Sequence, residues 1–135
     1  MNRRTFLATA TALACVPFAA QAEFVDFVPG TIDNALAEGK TVLVDYAADW
    51  CTTCARQERV INALRAAEPS YDDAMMFVRV DWDTYGYDEV AVSRDIPRRS
   101  TLILLRGDDE LGRIVAQTGE TQIKALLDLG LDAGS

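Results

Sequence analysis

Thr41-Val42-Leu43-Val44-Asp45-Tyr46-Ala47-Ala48-Asp49-Trp50-Cys51-Thr52-Thr53-Cys54 is the stretch that decides how this chain is read. Its first seven residues make a nearly continuous apolar run interrupted by one acid, the pattern of a strand buried on both faces. Two cysteines follow, with two residues between them. After them Val60, Ile61, Leu64 and Ala67 recur at helical spacing, with Arg56, Glu58, Arg59 and Arg65 turned outward. The cysteine pair therefore stands where a buried strand gives way to an amphipathic helix. Two thiols so placed can close a reversible disulfide in a very small ring. The first sulfur then lies beside the amide donors and positive dipole end of the helix, which favours its thiolate. A Cys-x-x-Cys pair alone also suits a metal or a structural bridge. The strand before it and the helix after it are what give it a redox meaning.

Working outward, Phe24 to Val28 alternates as a short first strand ended by Pro29-Gly30. Thr31 can cap a helix through Glu38, with Ile32, Ala35 and Leu36 inward and Gly39 at its end. On the other side, Pro69 reads as the stop of the helix that follows Cys51. Met75 to Asp81 is a second buried strand, and Tyr85 to Ser93 a short helix. Thr101 to Leu105 turns through Gly107-Asp108-Asp109 into Gly112 to Val115, an antiparallel hairpin. A closing helix runs from Thr121 to Leu129, with Ile123, Leu126, Leu127 and Leu129 apolar. The order β-α-β-α-β-α-β-β-α predicts a three-layer α/β/α fold around a central mixed sheet of four to five strands.

Residues 1–22 read as a cleaved signal peptide: basic Asn2-Arg3-Arg4, an apolar run from Thr5 to Ala20, and the small-x-small site Ala20-Gln21-Ala22. The run is short of the about 20 residues that span a bilayer comfortably. Arg3-Arg4-Thr5-Phe6-Leu7 fits a twin-arginine export signal, and an ordinary Sec signal fits as well. Lipoprotein processing at Cys15 is a third option, weakened by Ala12 where a leucine is usual. Export to the periplasm is the expectation, and residues 23–135 then form one domain. Without the leader the three cysteines become two, Cys51 and Cys54, leaving no framework of structural disulfides. The loss of Arg3 and Arg4 leaves 11 basic against 21 acidic side chains, a formal charge of −10. Such acidity argues against nucleic acid and anionic lipid as partners, and no membrane insertion is expected after cleavage.

The element order, with Asp49-Trp50-Cys51-x-x-Cys54 closing the second strand, resembles the thioredoxin superfamily over the whole of residues 23–135. Tyr46-Ala47-Ala48-Asp49-Trp50-Cys51 is similar to the approach to the active site in the periplasmic thioredoxin-like domain of the transmembrane disulfide reductase. The resemblance implies that Cys51 is the nucleophile, attacking a partner disulfide as the thiolate, and that Cys54 resolves the mixed disulfide. It places Asp45 as a buried carboxylate beneath Cys54, able to accept its proton; the bland reading of Asp45 is an edge residue facing water. Arg79 falls where thioredoxins put a lysine facing that aspartate, and would hold Asp45 ionised, or else point outward. Trp50 packs over the disulfide edge and meets partners. Thr52-Thr53 replaces Gly-Pro, and its hydroxyls could donate to a sulfur.

One segment departs from the family. Aligning Thr101-Leu102-Ile103-Leu104 with the family's strand puts Ser100 where a cis-proline normally packs on the sulfurs, and leaves Pro97 three residues early. Without proline a trans bond is expected there. The usual backbone pairing with substrate and the shield against metals are then both weakened. Arg98 and Arg99 in the same loop read either as a landing point for an acidic partner or as a solvated basic turn.

Taken together, the residues and the resemblance imply a monomeric, exported thiol–disulfide oxidoreductase without a cofactor, reducing partner disulfides with electrons from an upstream donor. The competing reading is a copper-handling protein, since Cu(I) accepts two thiolates readily. Two thiols and no histidine cannot complete a four-ligand zinc site within one chain. A relative whose cysteines form only a stabilising bridge is a third reading. Asp72-Asp73 and Asp108-Asp109-Glu110 are turn acids without calcium-loop spacing.

Overall fold

A computed structural model describes residues 23–134. The leader assigned to residues 1–22, Cys15 included, lies outside the described residues. Strands β1 (Val25–Asp26), β2 (Thr41–Ala47), β3 (Met75–Asp81), β4 (Thr101–Arg106) and β5 (Asp109–Val115) form one sheet in the order β1-β3-β2-β4-β5. β3 runs parallel to β1 and β2, whereas β4 is antiparallel to β2 and β5. The sheet is mixed and five-stranded, with helices α1 (Thr31–Ala37), α2 (Thr52–Ala67), α3 (Ser70–Ala74), α4 (Trp82–Tyr85), α5 (Glu89–Val92) and α6 (Glu120–Ala133) distributed over its two faces. Among the described residues no helix is long and apolar enough to cross a membrane.

Every residue of β2 is buried, as its uninterrupted apolar run requires. The period of two sorts its side chains between two cores. Val42, Val44 and Tyr46 join Ile32 and Ala35 of α1, Ala91 of α5 and Val78 and Val80 of β3. Leu43 joins Ile61 and Leu64 of α2, Tyr71 of α3, and Ile123, Leu126 and Leu127 of α6. Asp45 belongs to the second set, two residues beyond Leu43 on the face that carries α2. A third, small cluster of Ala47, Ala48, Cys51 and Cys54 closes the top of β2, with Trp82 packed against it.

Five expectations are corrected. Pro69 does not simply stop a helix: α2 ends at Ala67, and Pro69, with φ −60°, caps a further short helix, α3. The helix expected over Tyr85 to Ser93 is two single turns, because Asp81 caps the first from the end of β3, its carboxylate accepting from Thr84 N–H at 3.2 Å. Arg65 is not outward but 4% exposed. Its Nε meets Asp72 of α3 at 2.6 Å and its guanidinium lies 4.1 Å from the Phe77 ring centroid. Ala67, expected inward, is exposed. The closing helix extends to Ala133, and Leu129 points out while Gly130 takes the inner position. A Cβ at Gly130 would run into the Met75 methyl group, so the small residue sets how closely α6 lies on the sheet.

Candidate active site

The end of β2 and the start of α2 build the site. Cys51 is the N-cap of α2 with extended backbone (φ −85°, ψ 111°), and its sulfur accepts the Cys54 N–H at 3.1 Å. A sulfur thus fills the role a serine or aspartate oxygen ordinarily plays at this position, satisfying one of the free amides at the helix start. Cys51 and Cys54 are joined as a disulfide with Cα atoms 5.2 Å apart. Cys51 is 5% and Cys54 2% exposed, so what little access there is falls mainly on Cys51. Charge on that sulfur is favoured by the amide bond and by the dipole of a 16-residue helix.

Ser100 lies against both sulfurs. Its Oγ is 3.2 Å from Cys51 Sγ and 3.1 Å from Cys54 Sγ, and the residue is fully buried. It has φ +64°, a left-handed conformation uncommon outside glycine. Its N–H donates to Tyr46 C=O at 2.7 Å, and its C=O accepts from Ala116 N–H at 2.8 Å and Gln57 Nε2 at 3.0 Å. Among the described residues no peptide bond is cis. Proline cannot sit in this backbone, because its ring fixes φ near −65° and removes the N–H that Tyr46 receives.

Asp45 is 1% exposed in β2, directly across from Arg79 in β3. Its Oδ1 has no hydrogen-bond partner. Burial pushes its pKa up to about 7, opposed by the Arg79 charge and assisted by Glu58 of α2. The expectation that arginine would hold Asp45 ionised is therefore corrected: desolvation outweighs it. Arg79 bonds instead to exposed Asp49 in the loop before Trp50, Nη2 to Oδ1 at 2.9 Å.

Trp50 is 58% exposed, the rim residue beside Cys51. Its indole N–H donates to the Asp83 carboxylate at 2.9 Å, and the Arg99 guanidinium stacks 4.2 Å from its ring. Arg98 turns back on its own loop, Nε donating to Arg99 C=O at 3.0 Å. Thr52 is exposed and Thr53 half-buried, and among the described residues neither hydroxyl bonds to a sulfur. Gln57 is the residue that sequence reasoning missed. It is fully buried, and its Nε2 ties Ser100 C=O to Gln117 C=O at 3.0 and 2.9 Å. The available signal was a glutamine on the inner stripe of α2, one turn beyond Cys54. Among the described residues no group of three or more His, Cys, Asp or Glu side chains is disposed to hold a metal.

The profile of thioredoxin-like proteins matches residues 23–123. The chain belongs to the thioredoxin-like family. Thiol:disulfide interchange protein DsbD of Pseudomonas fluorescens is 29% identical over 99 residues, 73% of this chain but 17% of that protein. Thioredoxin-1 of Saccharomyces cerevisiae is 30% identical over 83 residues, 62% of this chain and 75% of the other. This chain thus spans about a sixth of the length of DsbD and three quarters of the yeast protein. Among solved structures, Trxlp from Edwardsiella tarda superposes with a TM-score of 0.63 at 31% identity, covering 76% of this chain and 97% of that one. Thioredoxin from Trypanosoma brucei gives a TM-score of 0.67 over 85% of this chain and 96% of the other; at 20% identity it speaks for the fold. Family, fold and paired cysteines make this thioredoxin-like protein a thiol–disulfide oxidoreductase.

Proposed function

We propose that the protein works outside the cytoplasm, exported by its first 22 residues, and reduces disulfides of partner proteins with electrons from an upstream dithiol donor. Cys51 attacks the partner disulfide as a thiolate, forming a mixed disulfide and releasing one partner sulfur as a thiolate that takes up a proton from solvent. Cys54 loses its proton to Asp45 and attacks the Cys51 sulfur. The second partner thiol departs, taking up a proton, and the Cys51–Cys54 disulfide remains for the donor to reduce. One arrangement carries this reading: Cys51 is the sulfur cap of α2, and the strand that leads to it carries the buried Asp45 carboxyl, whose pKa is pushed up to about 7. The exchange chemistry draws support from the similarity to DsbD, named as a thiol:disulfide interchange protein, and the reducing direction rests on the resemblance around Asp49-Trp50-Cys51. Trp50 and the Arg99 stacked on it form the rim that a partner would meet, acting as a monomer's docking face.

The test is reduction of insulin disulfides by the purified protein with a dithiol reductant in excess. Turnover above the reductant alone, lost to background in Cys51→Ser, is expected. Stoichiometric Cu(I) binding without turnover would replace the proposal with metal handling. Cleavage after Ala22 in an expressing bacterium, read by mass of the periplasmic product, tests export.

A further inference from the structure

We propose that the Ser100 hydroxyl is a catalytic hydrogen-bond donor that serves the two sulfurs in turn, stabilising first the Cys51 thiolate and then the Cys54 thiolate. Its oxygen lies 3.2 Å from one sulfur and 3.1 Å from the other, so neither bond requires it to move. In the disulfide neither sulfur carries hydrogen, so the hydroxyl is the donor in whichever contact it makes. In the dithiol it can act both ways: accepting from the Cys54 S–H while donating to the Cys51 thiolate. Once Cys51 is bound into a mixed disulfide it no longer holds charge. The hydroxyl then rotates about its C–O bond to the Cys54 sulfur, which turns anionic as its proton passes to Asp45. It loses no proton of its own in either half of the exchange.

The setting suits this work. Ser100 is fully buried, so water does not compete for the hydroxyl, and a hydrogen bond to a charged sulfur is strong there. The oxygen is fixed from behind: the serine N–H and C=O are held by Tyr46, Ala116 and Gln57, from β2, the start of the connection after β5, and α2. Such restraint accounts for a non-glycine residue at φ +64°, a conformation that persists only where its surroundings impose it. Gln57 is the positioning residue, clamping the loop from the helix that carries both cysteines.

The inference rests on exchange chemistry at Cys51 and Cys54, not on its direction. The experiment uses protein purified from cells expressing the full chain, as wild type, Ser100→Ala and Ser100→Gly. Glycine tolerates the left-handed backbone, so a loss shared by both variants reports the hydroxyl and not strain. Thiolate absorbance is titrated on the reduced proteins, and each is equilibrated with reduced and oxidised glutathione. Both variants should raise the Cys51 pKa by about one unit, equivalent to ~1.4 kcal/mol. Both should shift the dithiol–disulfide equilibrium about tenfold toward the disulfide, a potential ~30 mV more negative. Decay of a preformed mixed disulfide on Cys51 should also slow about tenfold. A thiolate titration and glutathione equilibrium unchanged in both variants would overturn the role of Ser100. Failure of the wild type to exchange with glutathione would instead remove the function on which it rests.

Discussion

A carboxyl and a guanidinium are buried on one face of the sheet, and they are treated in opposite ways. Arg65, in the last turn of α2, is given company: Asp72 at 2.6 Å, and the Phe77 and Phe24 rings 4.1 and 5.4 Å from its guanidinium. Asp45, toward the cysteine end of β2, is left with an unpartnered oxygen, and the arginine across from it is bonded to Asp49. Charge at the far end is neutralised and packed. At the cysteine end Arg79 offsets only part of the cost of burial, so the carboxyl sits between its two protonation states near neutral pH. The contrast separates a residue that serves the fold from one that works against it.

The largest effect should come from Asp45→Asn. Between pH 4 and 7 native Asp45 keeps a proton that the unfolded chain has released, so stability falls as pH rises through that window. Above pH 7 both states are ionised and the penalty is constant. It amounts to at most about 4 kcal/mol, from a pKa displaced by roughly three units. The asparagine variant should be more stable by up to that amount in urea unfolding at pH 8, with the gain gone by pH 4. A gain independent of pH would break the contrast. The same variant should slow the Cys54 step about a hundredfold, with loss of the inflection near pH 7 in turnover.

Arg65→Ala is the converse experiment. It should destabilise by about 2 kcal/mol, reduced from the usual cost of a broken buried pair because Asp72 is a third exposed. Turnover per folded molecule should be unchanged, and a fall in it would show that the two ends are coupled. Gln57→Leu should cost about 1–2 kcal/mol of stability, since the buried Ser100 carbonyl and the part-buried Gln117 carbonyl each lose a donor. Arg99→Gln should have the smallest effect, about a threefold drop in the rate with an acidic peptide disulfide at low salt. A salt dependence equal to that of wild type would remove Arg99 from docking.

How much could be read beforehand follows the same division. The two cores were legible because apolar periodicity states directly which face is buried, as in Val42, Leu43, Val44 and in Phe77, Val78, Val80. Cys51, Cys54 and Asp45 stood out by residue type within that pattern. Arg65 was misread because helical periodicity sends charge outward unless a partner is foreseen, and the partner lay in α3, hidden behind a proline taken for a stop. The Ser100 loop could be flagged as a departure, but its bonds come from Tyr46, Gln57 and Ala116. Convergence of segments so distant in the chain is a tertiary fact with no local signature.

Those bonds bear on which clients the enzyme prefers. The Ser100 amide and carbonyl are occupied internally and the Arg99 carbonyl is taken by Arg98, so these three groups are not free to pair with an arriving strand. Selection then rests on the groups that surround a client's cysteines and not on its chain conformation. Small molecules such as cystine should compete with extended peptides on nearly equal footing.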